Sequence, residues 1–447
     1  MIAKKSNDRS NPKNWRPISI TSCLMRLFEK VILKRLNSFL RENNILIRNQ
    51  SGFRAKRSTL DNLFFVSQKA FECYNRGWSM LSIFFDIEAA FDKVWHDGLI
   101  FKLCKIKIPY YILRFLINFL RGRKFQVKVG DSLSFEGNIE CGVPQGGVVS
   151  PTLFSVKIND APQRNKRNRE MTLLFADDKN YNLIFKKLNK SILKKAQTYV
   201  NELAAWARMW RLTLAPHKSN LMVFSRSNDF STININLDGV QIPRCKSVKF
   251  LGITLDERMN LKDHINNVRT DCRTRLNALK IVSHKSWHLS KKVLKQIYHA
   301  TIRSKIEYCS FVFDCIGQTQ KTRMNTIQNN ALRAVYRKKR QFGNENLHAI
   351  AGEITLEERL IESKQRFINK SIEFQNPVIV PLISDYNSYK GGRNIIIKTP
   401  LCAAIPINST SETEPADDDE DGGMYSSYVA HPQQHDDMYS SYNGSLM

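Results

Sequence analysis

Two segments of the sequence place aspartates directly after apolar runs of strand length. Residues 80–85 are largely apolar and lead into Asp86, and residues 171–175 come just before the pair Asp177-Asp178. Strand ends are rigid points, so aspartates that are distant in sequence can lie side by side at the edge of a sheet. Adjacent aspartates are also ordinary turn formers. These segments alone therefore do not predict a carboxylate cluster, and other features of the sequence are needed to support one.

A carboxylate cluster of this kind is suited to divalent cations. Mg²⁺ prefers hard oxygen ligands and usually takes one or two carboxylates together with substrate phosphates. Two-metal sites that transfer phosphoryl groups hold their ions about 3.5–4 Å apart. Asp92 lies six residues beyond Asp86, at a predicted helix start, and we interpret it as structural.

A glycine-rich loop lies between the two acidic segments. The sequence CGVPQGGVVSP, residues 141–151, carries no charge and precedes an apolar helix start. Its glycines permit close approach of the backbone to a ligand, and Gln145 offers an amide for a sugar or a base edge. It is not a Walker loop, because no Lys followed by Ser or Thr comes after it. By itself it would be an ordinary Gly/Pro connection, and it gains weight only beside the aspartates.

Hydrophobic periodicity predicts a mixture of helices and strands. Helices are predicted over 23–42, from a cap at Ser58 or Thr59 to about residue 74, and over 188–212. Further strands are predicted at 125–129 and 133–139 around the turn Gly130-Asp131, at 182–185, at 221–224 and at 248–255.

The charge of the chain favours a polyanionic partner. Its 69 Lys and Arg exceed its 41 Asp and Glu, and the last 37 residues hold nine of those acids and no Lys or Arg. The preceding part is therefore more basic than the net charge of +28 indicates. Three helical segments rich in Lys and Arg lie upstream of the acidic tail, at 261–283, 289–306 and 321–339. Three such segments in succession favour a surface that binds a nucleic-acid backbone.

The sequence shows no feature of a membrane or secreted protein. No apolar run reaches the roughly 18–20 residues that span a bilayer, and the N-terminus has no secretory segment. The nine cysteines are scattered without a CxxC pair, which argues against a disulfide framework or a structural zinc. We therefore expect no membrane partner and an intracellular location, in the nucleus or the cytoplasm, rather than secretion.

Seven motifs follow one another along the chain. They are NWRPISI, QSGFRAKRST, FFDIEAAFDKVWHDGL, GVPQGGVVSP, FADD, LTLAPHKSNLMVF and VKFLGITLD. In order and spacing the sequence resembles the reverse transcriptases of non-long-terminal-repeat retrotransposons, most of all those of the jockey-like elements. The resemblance covers about residues 14–256 and continues more loosely to about residue 367.

The resemblance implies an α+β fold of the right-hand polymerase type, in which helices back an antiparallel palm sheet. It divides the chain into partial fingers at 1–79, a palm at 80–256, a basic helical thumb at 257–345, a C-terminal extension at 346–410 and an acidic tail at 411–447. The low hydrophobicity of the tail predicts disorder. Because the chain begins just upstream of NWRPISI, we expect it to lack the endonuclease domain of related elements and part of the fingers.

The resemblance also implies an RNA-directed DNA polymerase, which adds deoxynucleotides to a primer 3′ end. Asp86, Asp177 and Asp178 would hold two Mg²⁺ ions, for which Mn²⁺ could substitute. The partners would be an RNA template, a DNA primer and deoxynucleoside triphosphates.

The same resemblance assigns five residues to the incoming nucleotide. Phe91, five residues past the first aspartate, would close the 2′-OH side of the pocket; a core aromatic at the helix start is the alternative, and the spacing favours the gate. Gln145 and Gly146 would line the nucleotide and the templating base. Arg16, and less strongly Arg54, would grip the triphosphate, to which a guanidinium is well suited.

Four further residues are assigned to the primer and to the leaving group. Phe250, Leu251 and Gly252 would form a hairpin that grips the primer end, where glycine allows close backbone contact. Lys218 would supply a general acid for the departing pyrophosphate, although an ordinary surface lysine fits that position nearly as well.

One position departs from the family pattern. Lys179 follows the aspartate pair, where a small or apolar residue is usual. It could pair with Asp178 and weaken metal binding, or it could point to solvent. A catalytically inactive, nucleic-acid-binding remnant is therefore the alternative to an active enzyme, and a telomerase-like polymerase is a more distant one.

Overall fold

The fold is seen in a computed structural model that describes residues 2–3, 10–11, 14–129, 131–166, 169–227, 230, 233–308, 310–315, 317–388 and 399–401. The described residues lie in the first of two units into which the chain divides, Met1–Pro406. The tail predicted to be disordered, 411–447, lies outside the described residues. No described helix has both the length and the hydropathy needed to cross a bilayer.

An antiparallel sheet lies at the centre of the first unit. The described strands are β1 (Ile2–Ala3), β2 (Trp15–Arg16), β3 (Ser79–Phe85), β4 (Lys124–Phe125), β5 (Lys128–Val129), β6 (Ser132–Leu133), β7 (Gly137–Asn138), β8 (Asn165–Lys166), β9 (Glu170–Phe175), β10 (Asp178–Phe185), β11 (Asn220–Phe224), β12 (Asn236–Leu237), β13 (Val240–Gln241), β14 (Ser247–Phe250) and β15 (Ile253–Asp256). Five strands form the central sheet, in the order β11-β3-β10-β9-β8, and the others pair two by two.

Helices cover both faces of this sheet. They are α1 (Cys23–Glu42), α2 (Thr59–Arg76), α3 (His96–Lys105), α4 (Tyr110–Leu120), α5 (Ser150–Lys157), α6 (Lys190–Met209), α7 (Lys262–Val282), α8 (Lys291–Tyr298), α9 (Ser304–Glu307), α10 (Gln318–Tyr336), α11 (Asn344–Ala351), α12 (Leu356–Glu373) and α13 (Val380–Ser388). A π-helical turn, His299–Arg303, joins α8 to α9.

Strand β3 is buried along its whole length, because alternate side chains enter two different hydrophobic cores. Leu81, Ile83 and Phe85 pack with α1 and with α3 to α6. Met80 and Phe84 pack on the opposite face with α2, the β14–β15 hairpin and α7 to α13. This second core joins residues from all four predicted regions between 1 and 410. The boundaries of those regions stay a prediction.

The structure confirms the mixed α+β character, and most of the predicted helices coincide with observed ones. Helix α1 spans the predicted 23–42, α2 begins after Ser58 with a capping box, and α6 lies inside the predicted 188–212. The predicted hairpin at 125–139 forms as two short ladders, β4–β7 and β5–β6.

Two strand predictions were wrong in their bounds. Strand β10 begins at Asp178 rather than at 182, because its polar residues are buried in the sheet, where the Ser82 hydroxyl donates to Asn182 at 2.6 Å. The single strand predicted over 248–255 is two strands. Leu251 and Gly252 form the turn between them, with φ of 44° and 89°.

Glu29 joins α1 to the glycine-rich loop. Its buried carboxylate accepts hydrogen bonds from the backbone N–H groups of Val148 at 2.6 Å and Val149 at 3.1 Å. These groups lie at the start of α5, where helical N–H groups lack intrahelical partners and the N-cap side chain supplies none. The negative charge is also favourable beside a helix N-terminus.

We expect Glu29→Ala to lower the free energy of unfolding by about 1–3 kcal/mol, because it removes the acceptor of two N–H groups at a buried site. Denaturant titration followed by circular dichroism measures this change. Glu42→Ala, at the exposed end of the same helix, is the matched control and should change stability by about 0.5 kcal/mol or less. Equal stability of the two variants would contradict the capping role.

Two lysines, Lys102 of α3 and Lys157 of α5, are buried beside tryptophan rings. Lys157 is fully buried, its Nζ has no hydrogen-bond partner among the described residues, and it lies 4.7 Å from the Trp210 ring centroid. Lys102 Nζ lies 3.7 Å from the same ring and donates to the Asp160 carboxylate. Burial lowers the pKa of Lys157 to about 7 and that of Lys102 to about 8.

The stability of the fold should therefore rise with pH from about 7 towards the ordinary lysine pKa near 10.4. In that range the unfolded chain holds a proton that folded Lys157 has lost. We expect Lys157→Met to raise the thermal midpoint at pH 7 and to flatten its rise between pH 7 and 9. The exposed Lys194→Met is the control. A Lys157→Met profile parallel to that of the wild type would contradict this assignment.

Candidate active site

Asp86 lies immediately after the central strand, β3. Its backbone N–H donates to the Ser219 hydroxyl at 3.2 Å, and its carbonyl accepts from the Ala215 N–H at 2.9 Å. Both partners lie just before β11, the strand that pairs with β3 on one side. The backbone of Asp86 is thus held from the neighbouring segment, while its side chain is half-buried.

Asp177 and Asp178 lie at the turn between β9 and β10. Ala176 opens this turn in the left-handed region, with φ of 55°. Its N–H donates to the side-chain oxygen of Gln50 at 3.1 Å, and the same oxygen accepts from the Gly52 N–H at 2.8 Å. Gln50 therefore holds the acidic turn against the loop that precedes α2.

The strand register brings the two acidic segments together. In the antiparallel ladder of β10 and β3, Lys179 lies opposite Phe85. One step further along this pair places Asp178 level with Asp86. The three aspartates therefore lie at the same end of two adjacent strands.

Burial raises the pKa of all three aspartates, and that of Asp178 reaches about 6. The charge of Asp86 raises the pKa of both Asp177 and Asp178, which shows that the carboxylates lie within electrostatic reach of one another. Lys218 lowers the pKa of Asp86, and Arg16 lowers that of Asp177. The charges of both predicted cations therefore act on the acidic cluster.

The donor set suits a divalent cation without forming a closed cage. In the part of the chain that the structure describes, no three Asp, Glu, His or Cys side chains converge as ligands of one ion. Mg²⁺ commonly binds through one or two carboxylates and completes its shell with substrate phosphates and water. The aspartates therefore fit ions that are held jointly with a nucleotide.

Phe91 lies in the turn that follows Asp86 and is half-buried. Its ring stacks on Phe154 with a centroid separation of 4.7 Å and meets Phe53 edge-on at 6.2 Å. Phe154 is fully buried, whereas Phe53 is exposed. Phe91 is therefore fixed against the core on one side, and it is open on the other.

The glycine-rich loop is held by contacts on both of its sides. The Gln145 side-chain amide donates to the Asp92 carboxylate at 2.7 Å, and the Gln145 carbonyl accepts from the Ser19 N–H at 2.7 Å. Gly146 has φ of 106°, and a Cβ there would lie 2.9 Å from the Ser19 carbonyl oxygen, so only glycine fits. The predicted helix start at Asp92 was wrong. Helix α3 begins at His96, and Asp92 orients Gln145 instead.

The hydrogen bonds of Arg54 go to the backbone of a neighbouring loop and not to the aspartates. Its guanidinium donates to the backbone carbonyls of Ile47 at 2.8 Å and Gln50 at 3.4 Å, and burial lowers its pKa. It braces the loop that holds the acidic turn.

The three residues predicted to grip the primer differ in their surroundings. Phe250 is buried, with its ring centroid 4.9 Å from that of Phe84, so its side chain belongs to the core. Leu251 and Gly252 form the turn. The Tyr308 hydroxyl donates to the Leu251 carbonyl at 2.6 Å, and it lies 2.9 Å from the Thr59 hydroxyl.

Sequence reasoning missed Tyr308, which ties this turn to the start of α2. It also missed Gln50 and Glu29, which hold the acidic turn and the glycine-rich loop. Gln50 opens the motif QSGFRAKRST, but no local pattern indicates what any of the three residues contacts, because each acts through partners that are far away in sequence.

Both interpretations of Lys179 were wrong. Its side chain neither pairs with Asp178 nor points to solvent. It is buried, and its Nζ donates to the Pro162 carbonyl at 2.8 Å. Strand alternation places Lys179 and Asp178 on opposite faces of the sheet.

Comparison with known proteins agrees with this architecture. Residues 2–255 match the family described as reverse transcriptase (RNA-dependent DNA polymerase). The probable RNA-directed DNA polymerase from transposon BS of Drosophila melanogaster is 29% identical over 377 residues, which cover 83% of this chain and 41% of that protein. The RNA-directed DNA polymerase from mobile element jockey of the same species is 28% identical over 345 residues, which cover 75% of this chain and 37% of that protein.

A more distant likeness is to a solved structure of apo telomerase from Candida tropicalis. It is 13% identical, with a TM-score of 0.39, and the alignment covers 79% of this chain and 56% of that one. A likeness at this level carries no argument about function.

The family match spans more than half of the chain and includes all three aspartates, the glycine-rich loop and the β14–β15 turn. The chain spans about two fifths of the length of the curated relatives named above. It belongs to the reverse transcriptase (RNA-dependent DNA polymerase) family, and it resembles the polymerases of jockey-like mobile elements.

Proposed function

We propose that the chain is an RNA-directed DNA polymerase of a mobile element, which adds deoxynucleotides to a primer 3′ end along an RNA template. The observation that carries this proposal is the register of β10 against β3, in which Lys179 lies opposite Phe85, so that Asp178 comes level with Asp86 just beyond β3, with Asp177 in the preceding turn. Asp86 and Asp177 are half-buried and Asp178 is exposed, and grouping their negative charges is costly unless a cation compensates them. Their raised pKa values are typical of a functional site.

Asp86, Asp177 and Asp178 would hold the metal. Two Mg²⁺ ions, or Mn²⁺ in their place, would supply charge neutralisation at the attacking and leaving oxygens when bound. Arg16, whose charge acts on Asp177, would pair with the triphosphate of the nucleotide. Lys218, whose charge acts on Asp86, would give a proton to the departing pyrophosphate.

The nucleotide itself would lie between Phe91 and the glycine-rich loop. Phe91 is backed by Phe154 and cannot retreat into the core, so it would exclude a 2′-OH by its volume. Asp92 takes up the amide N–H₂ of Gln145, which leaves the side-chain oxygen of Gln145 to accept from the nucleotide. Gly146 would let the backbone approach the templating base. Arg54 would act indirectly, through the loop that it braces.

The primer would lie at the β14–β15 turn. A cavity of about 680 Å³ beside Gly252 is lined by three cations, Lys249, Arg275 and Lys305, and by Asp271, which pairs with Arg275. These cations would hold primer phosphates, which position a duplex without reading its sequence. Tyr308 would fix the turn that supports the primer end.

An inactive nucleic-acid-binding remnant is the second candidate. Lys179 does not support this candidate through an ion pair with Asp178, because its Nζ donates to the Pro162 carbonyl instead. The protein would act inside the cell, in the nucleus or the cytoplasm, which agrees with nine scattered cysteines that form no CxxC pair.

We expect the protein to extend a DNA primer on an RNA template with Mg²⁺, and Asp177→Asn to slow this extension by about 10²-fold or more, as the loss of one transition-state charge contact commonly does. Single-nucleotide incorporation on a defined primer–template measures the rate. The exposed Asp131→Asn is the matched control and should be as active as the wild type. Wild-type protein that is inactive with both Mg²⁺ and Mn²⁺ would leave the remnant as the better account.

Phe91→Ala should admit ribonucleotides, because the smaller side chain leaves room for a 2′-OH. The measurement is the ratio of kcat/KM for a deoxynucleotide to that for the matching ribonucleotide. Phe91→Tyr keeps the volume of the ring and should keep the ratio. Unchanged sugar discrimination in Phe91→Ala would remove this residue from its assigned role.

A further inference from the structure

Helix α7 has two polar flanks on opposite sides of its buried stripe. An α-helix turns about 100° per residue. His264, Asp271 and Arg275 therefore share one flank, which lines the cavity beside Gly252. Arg269 and Arg273 lie about half a turn away, and they line a different cavity.

This second cavity is a groove between α7 and α10, with a volume of about 320 Å³. We name it the α7–α10 groove. Four cationic side chains line it: Arg269, Arg273 and Lys280 from α7, and Arg323 from α10. Its other lining residues are amides, a threonine and two apolar side chains, and none is acidic.

The positive charge of the groove is not neutralised locally. Within the described ranges, none of its four cations forms an ion pair. By contrast, Arg275 on the opposite flank pairs with Asp271 at 3.1 Å. Helix α10 contains no Asp or Glu at all. A concentrated positive field of this kind attracts a polyanion.

The groove is also rigidly built. Its floor is formed by Leu276 and Ile327, which belong to the hydrophobic core between the two helices. The far ends of these helices are tied by the Arg337 side chain, which donates to the Ser283 carbonyl at 2.7 Å. The four cations therefore extend from a preformed scaffold.

We propose that the α7–α10 groove is a second nucleic-acid site, which binds the phosphates of a single strand separate from the primer–template duplex. A narrow groove between two helices accommodates one backbone, and its apolar floor can contact a ribose or a base. Because the primer cavity lies on the opposite flank of α7, one duplex held at Gly252 does not fill this groove. The inference relies on the proposed function only in placing the duplex at Gly252.

The test uses the full chain saturated with an unlabelled, short primer–template. A fluorescent single-stranded RNA, or DNA of the same sequence, is then titrated and followed by anisotropy at several salt concentrations. We expect binding of both probes to the saturated protein. The triple variant Arg269→Ala, Arg273→Ala, Arg323→Ala should weaken this binding by at least about tenfold at 0.1 M salt and lower the salt slope by about 2, since each phosphate contact on a single strand contributes about 0.7.

The double variant Arg275→Ala, Lys305→Ala is the matched control, because it removes cations from the opposite flank. It should weaken binding of the primer–template and, at a higher primer–template concentration that saturates it, keep second-strand binding. Thermal unfolding of both variants reports on folding, and the charge-conserving triple variant Arg269→Lys, Arg273→Lys, Arg323→Lys should retain most of the binding. The proposal is overturned if the saturated protein binds neither probe or if the triple variant binds them as tightly as the wild type. A wild-type protein that binds the probes without extending a primer would contradict the proposed function and leave this inference standing.

Discussion

The antiparallel pairing of β10 with β3 holds the two halves of the acidic cluster together. A slip of one residue would turn every side chain of β10 to the other face and separate Asp178 from Asp86. Such a slip is costly here because β3 is buried on both faces, with Met80 and Phe84 in one core and Leu81 and Ile83 in the other. The geometry of the site is thus a consequence of how tightly the sheet is packed.

Side chains outside the chemistry hold the loops that surround this sheet edge. Gln50 binds the backbone of the acidic turn, Glu29 caps the helix after the glycine-rich loop, and Tyr308 binds the β14–β15 turn. Each comes from a different part of the chain, so the site depends on the docking of α1, of the loop before α2 and of the basic helices. Asp92 has the same kind of role, because it orients Gln145.

Local patterns predicted most of the helices and the central strand, and they did not predict the contacts between distant segments. Helix α1 and strand β3 follow from periodicity, and the position of Asp86 follows from the end of that strand. The start of β10 was missed because buried asparagines resemble a loop in sequence. The environment of Lys179 was missed because its partner, the Pro162 carbonyl, is set by tertiary packing. Motif resemblance assigned roles to Phe250 and Arg54, and it did not indicate that the Phe250 ring packs in the core or that the Arg54 guanidinium donates to backbone carbonyls.

The central claim is that the aspartates of both segments form one site. A double-mutant cycle on single-turnover nucleotide incorporation, with Asp86→Asn, Asp177→Asn and the combined variant, tests it most directly. Residues that act as a unit are strongly non-additive, so the combined variant should be about as slow as the slower single variant. Losses that multiply, as they do for independent sites, would contradict the account.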